Sequence, residues 1–328
     1  MRKFILKILA ISGIVVLIFF FMLICLPMDK DDYIREYNKK IDLIKKTPSP
    51  RMILMGASTL AFGIDSKQIS DSLGINVINM GLHAGIGARY YLDDYLQFIR
   101  QGDIVIISPS YYSDFIEGAN GFPETMPDLM IATNWRNVEE LNIYQIIQII
   151  KGTPFYCLRC AHNLFKSPMK VFDPKQENQE FRFIASGFNE YGDEYSHWII
   201  PSRNNKHSTE ANEVLASKNN IKVDEKFIKY LKSVIEKYKK KGANVLLMPE
   251  ISSHKNYVEY NPIQIENIMK KHGMTFFTNP KNLEFHDSYS FDEWGAAHLN
   301  RDGVTQASER IAILLRNQKL IQRLYNKH

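Results

Sequence analysis

The sequence predicts an α/β protein: a parallel sheet covered by helices on both faces, preceded by one apolar helix. Short apolar runs ending in glycine or serine alternate with amphipathic stretches that carry capping residues. That rhythm opens at Arg51 and resumes after residue 224. Ahead of it, residues 8–26 contain no charge.

The elements follow in order. "ILAISGIVVLIFFFMLICL" (8–26) comes after Arg2, Lys3 and Lys7 and before "DKDD" (29–32). At about 1.5 Å per residue the run matches the ~30 Å hydrocarbon core of a bilayer. Residues 1–28 are therefore expected to form a single-pass membrane anchor. The charge asymmetry places the N-terminus in the cytoplasm and the main domain outside it. A cleaved signal peptide would want a small-x-small site after the run, and none follows. Ile24 before Cys25 does not suit lipid attachment. Residues 29–50 are polar, end in "TPSP" and read as a linker.

"RMILMG" (51–56), "INVINMG" (75–81) and "DIVIISPS" (103–110) read as buried strands. "DSKQISDSLG" (65–74) and "ARYYLDDYLQFIRQG" (88–102) read as the helices between them. Later come a helix over 224–242, a strand over 243–250, a helix over 262–273, a strand over 274–280 and a closing helix over 300–318. Such alternation predicts a three-layer, flavodoxin-like sheet, with any ligand at the carboxyl ends of its strands. Residues 51–328 are one domain on this reading. About 115–223 lacks the rhythm, apart from a helix over 136–151, and reads as an insertion over that crevice.

Composition narrows the class. With 45% hydrophobic residues in 328 positions, the chain can bury a full core. Lysines and arginines number 41 against 36 acidic residues, and no basic block is interleaved with aromatics. Nucleic acid is therefore not an expected partner. "CLRC" holds Cys157 and Cys160 as a disulfide or as buried thiols. In "CLRCAH" the histidine stands one place too far for haem attachment, and zinc would need two more ligands. No metal and no cofactor is expected.

The chemistry-bearing residues lie where strands end. "LMGASTLAFGID" (54–65) puts Ser58 just past the first strand, as a nucleophile or as a helix cap. "FDEWGAAHLNRDG" (291–303) puts His298 just before the last helix. In a doubly wound sheet both open at the carboxyl edge. A serine nucleophile needs such a base, an orienting acid and oxyanion donors.

"GAS" after the first strand, "NMGLHAGIG" after the second and "AHLNRDG" before the last helix resemble the sequence blocks of SGNH (GDSL-like) hydrolases. The resemblance covers about 51–110 and 243–318. It implies that Ser58 is the nucleophile, that His298 is the catalytic histidine and that Gly81 joins Ser58 in supplying backbone oxyanion donors. Two departures stand out. The acid usual three residues before the histidine is replaced by Gly295, leaving Asp292 as the expected acid with Glu293 and Asp287 behind it. The asparagine usual after the third strand is missing from "SPSYYSD", leaving a hydroxyl of Ser110 or Tyr111 to complete the hole.

With its anchor, the chain is similar to proteins that acylate exported polysaccharides beside membrane-bound O-acyltransferases. The resemblance implies an acyltransferase or esterase of the cell envelope or periplasm, acting on an acylated or acceptor glycan through an acyl-serine. A silent glycan-binding or assembly protein on the same fold is the alternative, as is a flavodoxin-like domain in which Ser58 only caps a helix. "GFNEYGDEYSHW" (187–198) offers Asp193 and His197 amid aromatics as sugar contacts or as a plain turn. His83, in "GLHAG", is expected to border the site or to be an ordinary loop residue.

Overall fold

The computed structural model describes residues 1–25, 28–166, 183–200, 221–291, 298–319 and 321–322. In chain order the main elements are α1 (Arg2–Cys25), α2 (Glu36–Lys46), β1 (Arg51–Gly56), α3 (Ser58–Ala61), α4 (Ser66–Leu73), β2 (Asn76–Asn79), α5 (Ala88–Leu96) and β3 (Ile104–Ser108). A turn of π-helix (Tyr111–Ile116) follows, then α6 (Met126–Ala132) and α7 (Ile143–Lys166). The chain closes with α8 (Glu225–Lys240), β4 (Asn244–Leu247), β5 (Ser252–Ser253), α9 (His254–Tyr260), α10 (Pro262–Lys271), β6 (Glu284–Phe285) and α11 (Arg301–Arg316). These elements form two compact units. One joins Met1–Tyr37 to Gly121–Ser186, and the other joins Asn38–Asn120 to Gly187–His328.

The larger unit is built on a parallel sheet of strand order β2-β1-β3-β4. Met52 stands opposite Val77 on one side and Ile104 on the other, and Ile104 stands opposite Asn244. All residues of β1 and β3 are buried, as expected of central strands covered on both faces. Alternate side chains serve opposite faces. Met52 and Leu54 join Ile69, Leu73, Val304 and Ile311 in a core beneath α4 and α11. Met55 points the other way and meets the hydroxyl of Tyr238, which donates to the carbonyl of Leu92 at 2.7 Å. Tyr238 belongs to the apolar stripe of α8, with Phe227, Leu231 and Val234.

Two expectations are corrected along the chain. Residues 29–50 are not a simple linker, because 36–46 form helix α2. Their polar composition conceals a stripe of Tyr37, Ile41 and Ile44 at helical spacing, all buried. Buried Lys40 donates its ammonium to the carbonyls of Asn79 (2.8 Å) and Gly192 (2.6 Å). Residues 274–280 are not a strand. Phe277 alone reaches β4, donating its amide to the Leu247 carbonyl at 2.7 Å. Asn279 and Pro280 then turn the chain into a 3-10 helix over Pro280–Leu283.

The smaller unit gathers α6 and α7 with α1. Leu23, Tyr156, Cys157 and Cys160 form its core, with Phe19, Met22, Ile131 and Trp135 against them. Both cysteines of α7 are free thiols. Arg159 pairs with Asp128. Arg2–Leu23 is long and apolar enough to cross a membrane. The stretch expected as one insertion over about 115–223 is thus divided. Residues 121–186 join the N-terminal helix in this unit, whereas 187–200 return to the sheet unit.

Candidate active site

β1 ends at Gly56, where a Cβ would come within 2.8 Å of the Ser108 carbonyl. Only glycine lets β1 and β3 approach so closely at their carboxyl ends. The chain then turns through Ala57 into the short helix α3, whose first residue is Ser58. Ala57 is the N-cap and makes no side-chain bond. Ser58 therefore does not cap the helix. Its Oγ lies 2.9 Å from Nε2 of His298, across 240 positions of sequence.

His298 packs its ring against Phe62 (centroids 4.7 Å apart) and Phe291 (5.9 Å), which also pack on each other at 6.1 Å. Its carbonyl accepts from the Phe291 amide at 3.0 Å, and Ser290 bridges Leu299 in antiparallel fashion. Asn300 then caps α11 through the Gly303 amide. These contacts tie Phe291 to His298, and residues 292–297 between them fall outside the described residues. The expected acid Asp292 and its neighbour Glu293 are among them. Asp287, the acid further back, accepts the Lys255 amide at the start of α9.

Two of the expected oxyanion donors, Gly81 and Ser110, have partners within the protein. Gly81 is needed where it stands, because a Cβ there would meet the Ala57 carbonyl at 2.9 Å and the Ala61 amide nitrogen at 3.0 Å. Its N–H, however, donates to Oδ1 of Asn79 at 2.8 Å. Ser110 is also engaged. Its amide donates to Asp114, and its hydroxyl caps the π-turn and bonds the carboxyl group of Glu250. The Ser58 amide opens α3 and has no carbonyl to meet inside the helix.

Asp193 and His197, expected as sugar contacts, are fully buried. Asp193 accepts from the Ser66 amide (2.8 Å), the Ser66 hydroxyl (2.7 Å) and the Asn79 side chain (2.9 Å). Through Asn79 it fixes the backbone at Gly81. Burial raises its pKa, and these bonds oppose the shift. His197 places Nδ1 2.5 Å from Glu194 and Nε2 2.9 Å from the Leu299 carbonyl. A carbonyl can only accept, so Nε2 carries the proton. The His197 ring stacks on Phe291 at 4.7 Å.

His83 is half-buried, and its Nδ1 accepts the Gly85 amide. Burial, reinforced by the charge of nearby His298, holds its pKa down at about 4. It therefore stands neutral beside the His298 ring.

No family model, curated protein or solved structure matches the chain.

Three residues were missed in the sequence. Glu250 is buried just beyond β4 and accepts from the Tyr111 amide and from the hydroxyl of Thr59, the residue next to Ser58. Burial pushes it up to about 7, and Asp114, buried beyond β3, also rises to about 7. Glu194 completes the group. Their signals were present: Glu250 ends the "NVLLMPE" run, and Glu194 stands three residues before His197.

Proposed function

We propose that the chain is a membrane-anchored, SGNH-like serine acyltransferase or esterase. It acts outside the cytoplasm on acyl groups of a cell-surface or exported polysaccharide. The observation that carries this reading is the 2.9 Å contact between Ser58 Oγ and His298 Nε2 at the carboxyl edge of the sheet. That distance lies within the reach a general base needs to take a hydroxyl proton.

In the proposed cycle His298 Nε2 takes the Ser58 proton as Oγ attacks the ester carbonyl. The tetrahedral oxyanion faces the Ser58 amide. The carbon–oxygen bond to the leaving alcohol breaks as His298 returns the proton to that oxygen, leaving an acyl-serine. A sugar hydroxyl or water then attacks with His298 again as base, and Ser58 is regenerated. Where cytoplasmic acyl donors feed the reaction, a membrane-bound O-acyltransferase is the partner that brings the group across.

A second reading, glycan binding or assembly without turnover, is favoured by the engagement of Gly81 N–H and Ser110. One oxyanion donor is worth roughly 10²–10³ in rate. Turnover of an activated acetyl ester by the full-length protein, with and without an oligosaccharide acceptor, separates the readings. Acyl chemistry predicts release that Ser58→Ala and His298→Ala each abolish, and acceptor dependence separates transferase from esterase. Oligosaccharide binding that survives both substitutions, with no ester turnover, would support the second reading.

A further inference from the structure

Helix α7 exposes an apolar face where a water-facing helix would carry polar residues. Ile150, Phe155 and Leu158 are 66%, 67% and 63% exposed, and Ile143 and Ile147 extend the same face. Lys151 is the one charged side chain exposed between Ile143 and Leu158. Patches of this kind mark a surface covered by something apolar.

The covering can be read from α1. From Arg2 to Ile18 every described side chain is exposed. At 1.5 Å per residue that stretch rises about 26 Å, short of the ~30 Å hydrocarbon core. The next turn, Phe19–Leu23, must complete the crossing. It is also the turn on which α7 sits, with the Cys157 thiol 3.6 Å from the Phe19 carbonyl. An apolar groove of about 440 Å³ runs between the two helices, lined by Phe19 and Leu23 of α1, by Ile146, Ile150 and Pro154 of α7, and by Trp135. The Thr153 hydroxyl in its lining is turned back onto the Ile149 carbonyl at 2.7 Å. This surface is continuous with the exposed apolar surface of α1.

We propose that α7 is a membrane-boundary helix, with its apolar face immersed in lipid and the groove against α1 filled by an acyl chain of a membrane lipid. This rests on the reading of α1 as a membrane span. Lys151 is exposed on this face, and its long stem is able to carry the charge to the headgroups, as basic side chains do at such boundaries.

The full-length protein in phosphatidylethanolamine–phosphatidylglycerol vesicles, doped with a phospholipid carrying a diazirine on its acyl chain, tests this. After photolysis, adducts are mapped by mass spectrometry, with α8 as the water-facing reference. Adducts on both α1 and Ile143–Leu158, with none on α8, support the proposal. Adducts on α1 alone overturn it and leave the membrane span intact. Absence of adducts from α1 and α7 alike overturns the span and the proposal together.

Discussion

His197 donates its Nε2–H to the carbonyl of Leu299, the residue directly after His298, at 2.9 Å. A side chain from the stretch expected as an insertion thus holds the backbone directly after the proposed base. Glu194 fixes the ring from its other nitrogen, and its own amide donates to the carbonyl of Ala61 in α3. This places His197 as a positioning residue. His197→Ala is expected to lower kcat about 10²-fold with KM little changed, the usual cost of a small misplacement. His197→Gln keeps a donor for Leu299 and is expected to recover most of that loss. Steady-state kinetics on an acetyl ester checks both.

Asp193 is a stabilising acceptor. Asp193→Ala leaves the Ser66 amide, the Ser66 hydroxyl and the Asn79 side chain without their buried partner. Each stranded buried group costs about 1–3 kcal/mol. With three such groups a total loss of at least about 3 kcal/mol is expected, at the strongly destabilising end for a single substitution. Urea denaturation reads this as a lower midpoint with unchanged slope.

Glu250 links stability to pH. Its folded pKa, about 7, lies above its ordinary 4.5 because of burial. The folded state therefore binds more protons than the unfolded chain between those values. Its contribution is fully present below pH 4.5 and is lost as the pH rises through 7. Asp114 acts in the same direction from its ordinary 3.8, whereas His83, depressed to about 4, acts in the opposite one. Glu250→Gln removes the titrating group and leaves the others. The fall in Tm between pH 5 and pH 7.5 is expected to be smaller in the variant than in the wild type.

His83 is expected to titrate near pH 4, about two and a half units below a free imidazole. Burial is the larger cause, and the charge of His298 adds to it. His298→Ala is expected to raise the His83 pKa part of the way back. Proton NMR of the imidazole Cε1–H across pH 3–8 measures both values.

The alternating rhythm was legible because a doubly covered parallel sheet needs short apolar strands and amphipathic helices. The approach of Ser58 to His298 was legible in part, since Ser58 follows the end of β1 and His298 stands just before α11. The roles of Asp193 and His197 were not. A carboxylate and an imidazole near aromatics look alike in sequence whether they face a sugar or fill a core, and only their buried partners decide. Gly81 was half legible. The resemblance singled it out, but the partner of its amide, Asn79 two residues earlier, depended on a side-chain rotamer. Helix α2 was hidden because a three-residue stripe in a charged stretch is a weak periodic signal.

Covalent trapping at Ser58 tests the central claim most directly. The full-length protein is mixed with an activated acetyl ester, quenched in acid, digested and analysed by mass spectrometry. Acyl transfer through the Ser58–His298 pair predicts an acetyl group on the peptide bearing Ser58, formed rapidly in wild type and at least roughly 10³-fold more slowly in His298→Ala. Equal acetylation in the two proteins, or a wild-type Ser58 that stays unmodified while the ester turns over, would contradict it.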